Sequence, residues 1–114
     1  MYRKADSEIW QGRIDHETDH TYFRYHQVVK TETTLEQDLI VLIGFACDEG
    51  VRRNQGRTGA KYAPFALRKQ LASLPWRAHP NDKSIVDFGD VICEGHDLER
   101  AQQELGDKVS EILK

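Results

Sequence analysis

A loop rich in glycine and arginine contains the residues whose types and spacing best suggest chemistry. Residues 47–62 read CDEGVRRNQGRTGAKY and directly follow an apolar run. The guanidinium groups of Arg53 and Arg57 are planar forks that match the two oxygens of a carboxylate, and the side-chain amide of Asn54 adds a further donor. The glycines fit neither of the two common phosphate-binding patterns, GxxxxGK[ST] and GxGxxG. The loop therefore predicts a site for a small anionic molecule.

The same arginines have a structural interpretation that the sequence leaves open. Four carboxylates are predicted at the same end of the sheet, and an ion pair with any of them would brace the loop instead of binding a ligand. These carboxylates belong to Asp48, Glu49, Asp90 and Glu94.

A second pattern, His16-Glu-Thr-Asp-His20, matches HExxH, in which two histidines one helical turn apart bind zinc. That chemistry needs a helix with apolar packing behind it and a third ligand. The neighbouring residues Gly12, Asp15 and Thr18 form helices poorly, and no apolar stripe accompanies them. The pattern is interpreted as a chance match, and no metal ligand is assigned to this chain.

Other polar residues are interpreted as structural. Asp87 and Asp90 lie on a predicted strand with no clustered histidine, and Arg68 lies inside a predicted helix. Cys47 and Cys93 form neither a CxxC pair nor a disulfide framework. They are predicted to be reduced thiols of a cytoplasmic protein, each placed just after a strand at the same end of the sheet.

The elements that position these residues follow from hydrophobic patterning. Residues 39–46 are continuously apolar, as expected of a parallel strand buried on both faces. Pro64 suits the first turn of a helix. The leucines at positions 67, 71 and 74 would form the apolar face of this helix, which Pro75 ends.

A second strand and a second helix complete the pattern. After a polar turn at 78–83, residues 84–89 predict a short strand, and Asp97 predicts the N-cap of a long helix. Its apolar stripe is Leu98, Ala101, Leu105, Val109 and Ile112. Glu104 and Lys108 are spaced to form an ion pair on its surface.

The chain divides into a polar, irregular arm at 1–37, with one helical turn predicted near 22–29, and a βαβα segment at 38–114. Two parallel strands leave sheet edges uncovered, and an α/β protein would continue into a further strand after the last helix. The sequence is therefore expected to be a fragment of a larger α/β domain.

Overall composition argues against several classes of protein. The 114 residues carry a formal net charge of −3, whereas nucleic-acid-binding domains usually present a strongly basic face. The longest apolar run is far shorter than the roughly 20 residues that span a bilayer. The N-terminal residues lack the apolar core of a secretory signal. No nucleic-acid or membrane partner is predicted.

Several of these motifs together resemble a known family. The run 44–60, GFACDEGVRRNQGRTGA, is similar to the N-terminal region of the formimidoylglutamase branch of the arginase–agmatinase (ureohydrolase) family. Further matches are WQGRID at 10–15, HQVV at 26–29, APFALR at 63–68 and DFGDV at 87–91. Ala63 departs from the glycine that the family usually has before this proline. The resemblance covers nearly the whole chain.

The resemblance implies a three-layer α/β/α fold, of which this chain would supply the first two parallel strands with their helices. It implies hydrolysis of N-formimidoyl-L-glutamate to L-glutamate and formamide, by a homo-oligomeric enzyme that uses two manganese ions and their bridging hydroxide. The family's metal-binding segments, Gly-Gly-x-His, Asp-Ala-His-x-Asp and Asp-x-Asp, do not occur here. This chain alone is therefore expected to be inactive, with Arg53, Asn54 and Arg57 as its candidate substrate contacts.

Two other functions remain open at this point. The chain could be a non-enzymatic α/β module that binds a small carboxylate or a protein partner through residues 47–62. The weaker alternative is a zinc peptidase that uses His16, Glu17 and His20.

Overall fold

The computed structural model describes residues 1–31, 38–77 and 84–114. These form an α/β structure around a three-stranded sheet with the order β1-β3-β2. The strands are β1 (Tyr2–Arg3), β2 (Leu39–Ala46) and β3 (Ser84–Ile92), and the helices are α1 (Tyr25–Val28), α2 (Glu49–Arg53), α3 (Ala63–Ala72) and α4 (Leu98–Ile112). Short 3-10 turns lie at Ser7–Ile9, His20–Tyr22 and Ala60–Tyr62. The polar turn predicted at 78–83 is outside the described residues.

The predicted parallel pair of strands is confirmed. β2 and β3 pair in register from Leu39 opposite Ser84 to Ala46 opposite Ile92, with one irregularity after Leu42. Because the two strands run in the same direction, their carboxyl ends lie at one edge of the sheet. The loop after β2 and the turn after β3 are therefore neighbours.

The first residues of the arm form a strand that the sequence did not predict. β1 pairs antiparallel with β3, with Tyr2 opposite Val91 and Arg3 opposite Asp90. Gly89, at φ 92°, permits this close approach, since a Cβ there would lie 2.2 Å from the carbonyl oxygen of Arg3. A strand so short carries little apolar pattern, so the sequence alone predicts an irregular arm.

Burial on both faces was predicted for the first parallel strand, but the structure shows it for β3. Residues 86–91 of β3 are buried, whereas in β2 only Ala46 is buried and Ile40 is 46% exposed. β3 has a strand on each side, while β2 pairs with β3 alone among the described residues. The apolar character of β2 is therefore only partly satisfied by the contacts seen here.

Helix α3 presents a different face to the sheet from the predicted one. Leu67 and Leu74 are 66% and 50% exposed, and the buried residues of the helix are Arg68 and Ala72. Of the three predicted leucines only Leu71 is partly buried and packs on the core, so the leucine stripe does not form the buried face of this helix. The orientation of α3 is set by Arg68, whose guanidinium group pairs with two buried carboxylates of β3, as described below.

The last helix agrees with its predicted start. The side chain of Asp97 accepts a hydrogen bond from the backbone N–H of Arg100 at 3.1 Å and so caps α4. The predicted pair of Glu104 with Lys108 is wrong, because Lys108 pairs with Glu111 at 3.2 Å. Glu104 pairs instead with the N-terminal amine at 2.6 Å. No helix in the described ranges, α4 included, is long and apolar enough to cross a membrane.

The arm packs over α3 and the sheet. Trp10, Val29 and Ala72 form a buried apolar cluster, and Ile9, Tyr25, Leu71 and Ile85 are among the partly buried side chains that pack against it. The predicted helical turn is present as α1, after the 3-10 turn His20–Tyr22. The arm therefore supplies part of the core.

Candidate functional site

The loop at 47–62 is more ordered than the sequence suggested. It begins at the carboxyl end of β2 and contains the short helix α2 and the 3-10 turn Ala60–Tyr62. The carboxylate of Asp48 accepts a hydrogen bond from the backbone N–H of Gly59 at 2.9 Å. Because this bond joins the two ends of the segment, it closes the loop over the end of the sheet.

A buried carboxylate organises the first half of the loop. Glu49 is 3% exposed, and both of its oxygens accept hydrogen bonds from Nε of Arg52, at 2.5 and 2.9 Å. Nδ1 of His96, in the turn after β3, lies 2.9 Å from Oε2 of Glu49. The hydrogen bonds from Arg52 lower the pKa of Glu49 to about 2, although burial acts to raise it. Glu49 therefore links the loop after β2 to the turn after β3 as a charged group.

Arg53 braces the same two segments. Its Nη1 donates to Oε1 of Glu99 at 2.5 Å, and its Nη2 donates to Oε2 of Glu99 at 3.2 Å and to the carbonyl oxygen of His96 at 2.9 Å. Nε lies 3.7 Å from Glu49. The structure thus places the guanidinium group of Arg53 against α4. There the carboxylate of Glu99 already accepts the hydrogen bonds that Arg53 would have to donate to a ligand.

The other two candidate contacts lie in an exposed turn. The backbone N–H of Asn54 donates to the carbonyl oxygen of Gly50 at 3.1 Å, and its side chain is exposed. Arg57 is exposed and forms no ion pair or hydrogen bond with any residue that the structure describes. A Cβ at Gly56 would lie 2.8 Å from Cγ1 of Val51, so this tight turn requires glycine there. The turn therefore presents the side chains of Asn54 and Arg57 to solvent.

Sequence reasoning named Arg53 but missed Glu99 and His96 as its partners. The spacing of Glu49 with Arg52 and Arg53, at i+3 and i+4, indicates pairs on one helical turn and was available in the sequence. The contacts to Glu99 and His96 carry no such local pattern, because 46 and 43 residues separate them from Arg53.

A second polar cluster lies inside the fold, between α3 and β3. Arg68 donates from Nη1 to Asp90 at 2.7 Å and from Nη2 to Asp87 at 2.9 Å. Nε of Arg68 lies 2.9 Å from Oδ2 of Asp87 but is not aligned for a hydrogen bond. That oxygen accepts the indole N–H of Trp10 at 2.9 Å.

These contacts agree with the structural interpretation of Arg68, Asp87 and Asp90. Burial acts to lower the pKa of Arg68, but the hydrogen bond to Asp90 and the charges of both carboxylates raise it, so the guanidinium group stays charged. Asp90 pairs with Arg68 of α3 and, at 3.6 Å, with Arg3 of β1, and not with an arginine of the loop. Gly44 is required beside it, because a Cβ there would lie 1.9 Å from Oδ1 of Asp90.

The HExxH pattern does not form the geometry that zinc proteases use. Residues 16–19 are not helical, and His20 begins a 3-10 turn. Nδ1 of His16 accepts hydrogen bonds from the backbone N–H groups of Thr18 and Asp19, at 3.2 and 2.8 Å. Within residues 1–31, 38–77 and 84–114, no three acidic, histidine or cysteine side chains are grouped to hold a metal ion. The described residues therefore do not fit a manganese or zinc centre.

Comparison with known proteins agrees with the resemblance seen in the motifs. The chain is 48% identical to the formimidoylglutamase of Lysinibacillus sphaericus, a match that covers 99% of this chain and 36% of that protein. It is 49% identical to that of Aliivibrio fischeri, over 91% of this chain and 29% of the relative. It is 46% identical to the formimidoylglutamase of Chromobacterium violaceum, over 96% of this chain and 34% of that protein. The chain spans about a third of the length of the curated relatives that it matches.

A sequence profile described as the arginase family matches residues 38–114, which is more than half of the chain. The parallel strands, the loop at their carboxyl ends and the helices that flank them all lie within the matched range. This chain belongs to the arginase family.

Proposed function

We propose that this chain is the N-terminal part of a hydrolase that converts N-formimidoyl-L-glutamate and water to L-glutamate and formamide. The observation that carries the proposal is the identity of 46–49% with three bacterial formimidoylglutamases over nearly the whole chain. The position of the loop supports it, since ligands of open α/β sheets bind at the carboxyl ends of the strands.

In this proposal the exposed turn after α2 contacts the carboxylates of the substrate. Arg57 is the leading contact, because its guanidinium fork is exposed and has no partner among the described residues. Asn54 adds an amide donor from the same turn. Arg53 is also proposed, but it would have to exchange Glu99 for the substrate, which makes its binding role conditional on movement of that pair.

The described residues include no group of three side chains that could hold the manganese ions of the proposal. These ions would be bound by residues of the longer protein, and this chain would contribute to orienting the substrate. The resemblance extends the proposal to a cytoplasmic, homo-oligomeric enzyme, whose assembly can be measured by light scattering of the longer protein.

The substrate assignment is tested by comparing amidine and guanidine substrates. The longer protein, purified with manganese, should release formamide from N-formimidoyl-L-glutamate at a kcat/KM at least about a hundredfold above that for arginine or agmatine. The proposed substrate has two carboxylates, whereas arginine has one and agmatine has none, and a site built to pair with a carboxylate strongly rejects a ligand that lacks it. A preference for arginine or agmatine would contradict the proposed substrate while leaving membership of the family intact.

A further inference from the structure

Cys47 and Cys93 lie side by side at the carboxyl edge of the sheet. Cys47 directly follows β2 and Cys93 directly follows β3, one position beyond the last registered pair of residues. The backbone N–H of Cys93 donates to the carbonyl oxygen of Ala46 at 3.3 Å, so the ladder continues to this point. Neighbouring strands are about 4.8 Å apart, and disulfides join Cα atoms about 4.4–6.8 Å apart. The spacing of the two strands therefore suits a cross-strand disulfide.

The surroundings of Cys93 oppose loss of its proton. Both cysteines are free and only partly buried. Burial, followed by the neighbouring side chain of Cys47, raises the pKa of Cys93 to about 11. The thiol of Cys93 lies 4.0 Å from the carbonyl oxygen of Gly95. Cys93 therefore holds its proton more strongly than an ordinary thiol.

We propose that Cys47 and Cys93 form a site of reversible covalent modification, at which an intramolecular disulfide is made by exchange with a low-molecular-weight disulfide such as oxidised glutathione. The site is separate from the proposed substrate contacts at Arg53, Asn54 and Arg57, and it uses no residue of the HExxH pattern.

The exchange proceeds in two balanced steps. The Cys47 thiolate attacks one sulfur of oxidised glutathione, which forms a mixed disulfide and releases one glutathione thiolate. The Cys93 thiol then gives its proton to solvent and attacks Sγ of Cys47, which releases the second glutathione. Two protein thiols are oxidised, and one glutathione disulfide is reduced to two thiols.

The surroundings of Cys93 favour this order of steps. While Cys47 is a thiolate, its charge opposes ionisation of Cys93. Once Cys47 has entered the mixed disulfide that charge is gone, so one cause of the raised pKa is removed at the step in which Cys93 must ionise. Cys93 therefore acts second, as the thiol that closes the bond.

The position of the pair gives the disulfide a structural consequence. Cys47 precedes Asp48, which closes the loop through Gly59, and Cys93 lies three residues before His96, which contacts Glu49. A bond between the two sulfurs would fix the loop after β2 to the turn after β3 by a covalent link, where the reduced chain uses ion pairs and hydrogen bonds.

The test is peptide mapping of the longer protein after equilibration in glutathione redox buffers and alkylation of the remaining thiols. We expect a Cys47–Cys93 cross-linked peptide whose yield does not depend on protein concentration. The Cys47–Cys93 disulfide should form in the native protein at a ratio of oxidised to reduced glutathione about tenfold or more below the ratio needed in urea. The reason is that the fold raises the effective concentration of one thiol at the other. Absence of the peptide, or an equal or higher ratio in the native protein, would overturn the proposal.

A variant separates this site from simple glutathionylation. In Cys93→Ser, or in Cys93→Ala if the serine variant does not fold, the mixed disulfide at Cys47 should accumulate, whereas in the parent protein it should be transient. Stable glutathione on Cys47 in the parent would also overturn the proposal. None of these readouts depends on hydrolytic activity, so the inference can fail while the proposed function stands, and the reverse also holds.

Discussion

The buried carboxylate of Glu49 connects the loop after β2 with the turn after β3. It contacts Arg52, in the same short helix α2, and His96, in the turn after β3. A buried carboxylate without such partners would be costly, and this one remains charged because its partners donate hydrogen bonds. The loop at 47–62 is therefore positioned by an acidic residue and not by apolar packing. This arrangement makes its geometry sensitive to pH.

We expect Glu49→Gln to remove a pH-dependent part of the stability. The folded-state pKa of Glu49 is about 2 and its ordinary value is 4.5, so the stabilising contribution is fully present above about pH 4.5 and is lost as the pH falls toward 2. The free energies of unfolding of parent and variant, from urea titrations, should differ most above pH 4.5 and converge at low pH. Glu8→Gln, on the exposed arm, is the control for loss of one negative charge, and a pH-independent difference at Glu49 would contradict this expectation.

Arg57 is the residue on which the proposed binding role can be tested most cleanly. In the longer protein, Arg57→Ala should raise KM for N-formimidoyl-L-glutamate roughly tenfold to a hundredfold with kcat little changed, because a charge-assisted contact contributes about 1.5–3 kcal/mol and is made in both the ground state and the transition state. Lys69→Ala, which removes a positive charge from the exposed side of α3, is the matched control. Unchanged kinetics for Arg57→Ala would contradict the binding role.

The packing of α3 against β3 depends on a buried network of charges. Arg68→Met should lower the free energy of unfolding by about 3–5 kcal/mol, because it leaves Asp87 and Asp90 buried without their cation. Gln70→Met makes a similar substitution at an exposed position of the same helix and should change stability by less than about 0.5 kcal/mol. Urea unfolding measures both, and a loss below about 1 kcal/mol for Arg68→Met would mean that the ion pairs do not orient this helix.

The elements of the fold were largely predictable where one strong local pattern specified them. The apolar run of β2, Pro64 at the start of α3 and Asp97 at the start of α4 each have a local physical cause, and each element was found. The predicted face of α3 was wrong. The three leucines indicated an apolar face, whereas the face toward the sheet is set by the pairing of Arg68 with Asp87 and Asp90, residues about 20 positions away in the chain. Long-range ion pairs leave no periodic pattern in the sequence.

The candidate site was predictable in composition but not in contacts. Glycine and arginine content identified the loop, and the side chains of Asn54 and Arg57 are exposed in it. The bracing role of Arg53 depends on α4 approaching the loop after β2, which one sequence does not reveal. Elements that meet only through tertiary structure therefore account for most of what sequence reasoning missed.

At the scale of the whole molecule, most apolar side chains of β2 are only partly buried, and Ile40 is 46% exposed. The β2 residues Leu42, Ile43 and Phe45 line an apolar groove of about 290 Å³ together with Pro64 and Leu67 of α3. In the described ranges no strand pairs with the outer edge of β2. Together with coverage of about a third of each relative, this exposed surface agrees with a chain that forms part of a larger domain.

The most direct measurement compares formamide release from N-formimidoyl-L-glutamate by the longer protein and by residues 1–114 alone, both assayed with manganese and with folding followed by circular dichroism. We expect the longer protein to turn over the substrate and the isolated chain to release no formamide above background, because none of its described residues are grouped to bind a metal ion. Turnover by the isolated chain, with kinetics that follow its own concentration, would contradict the account.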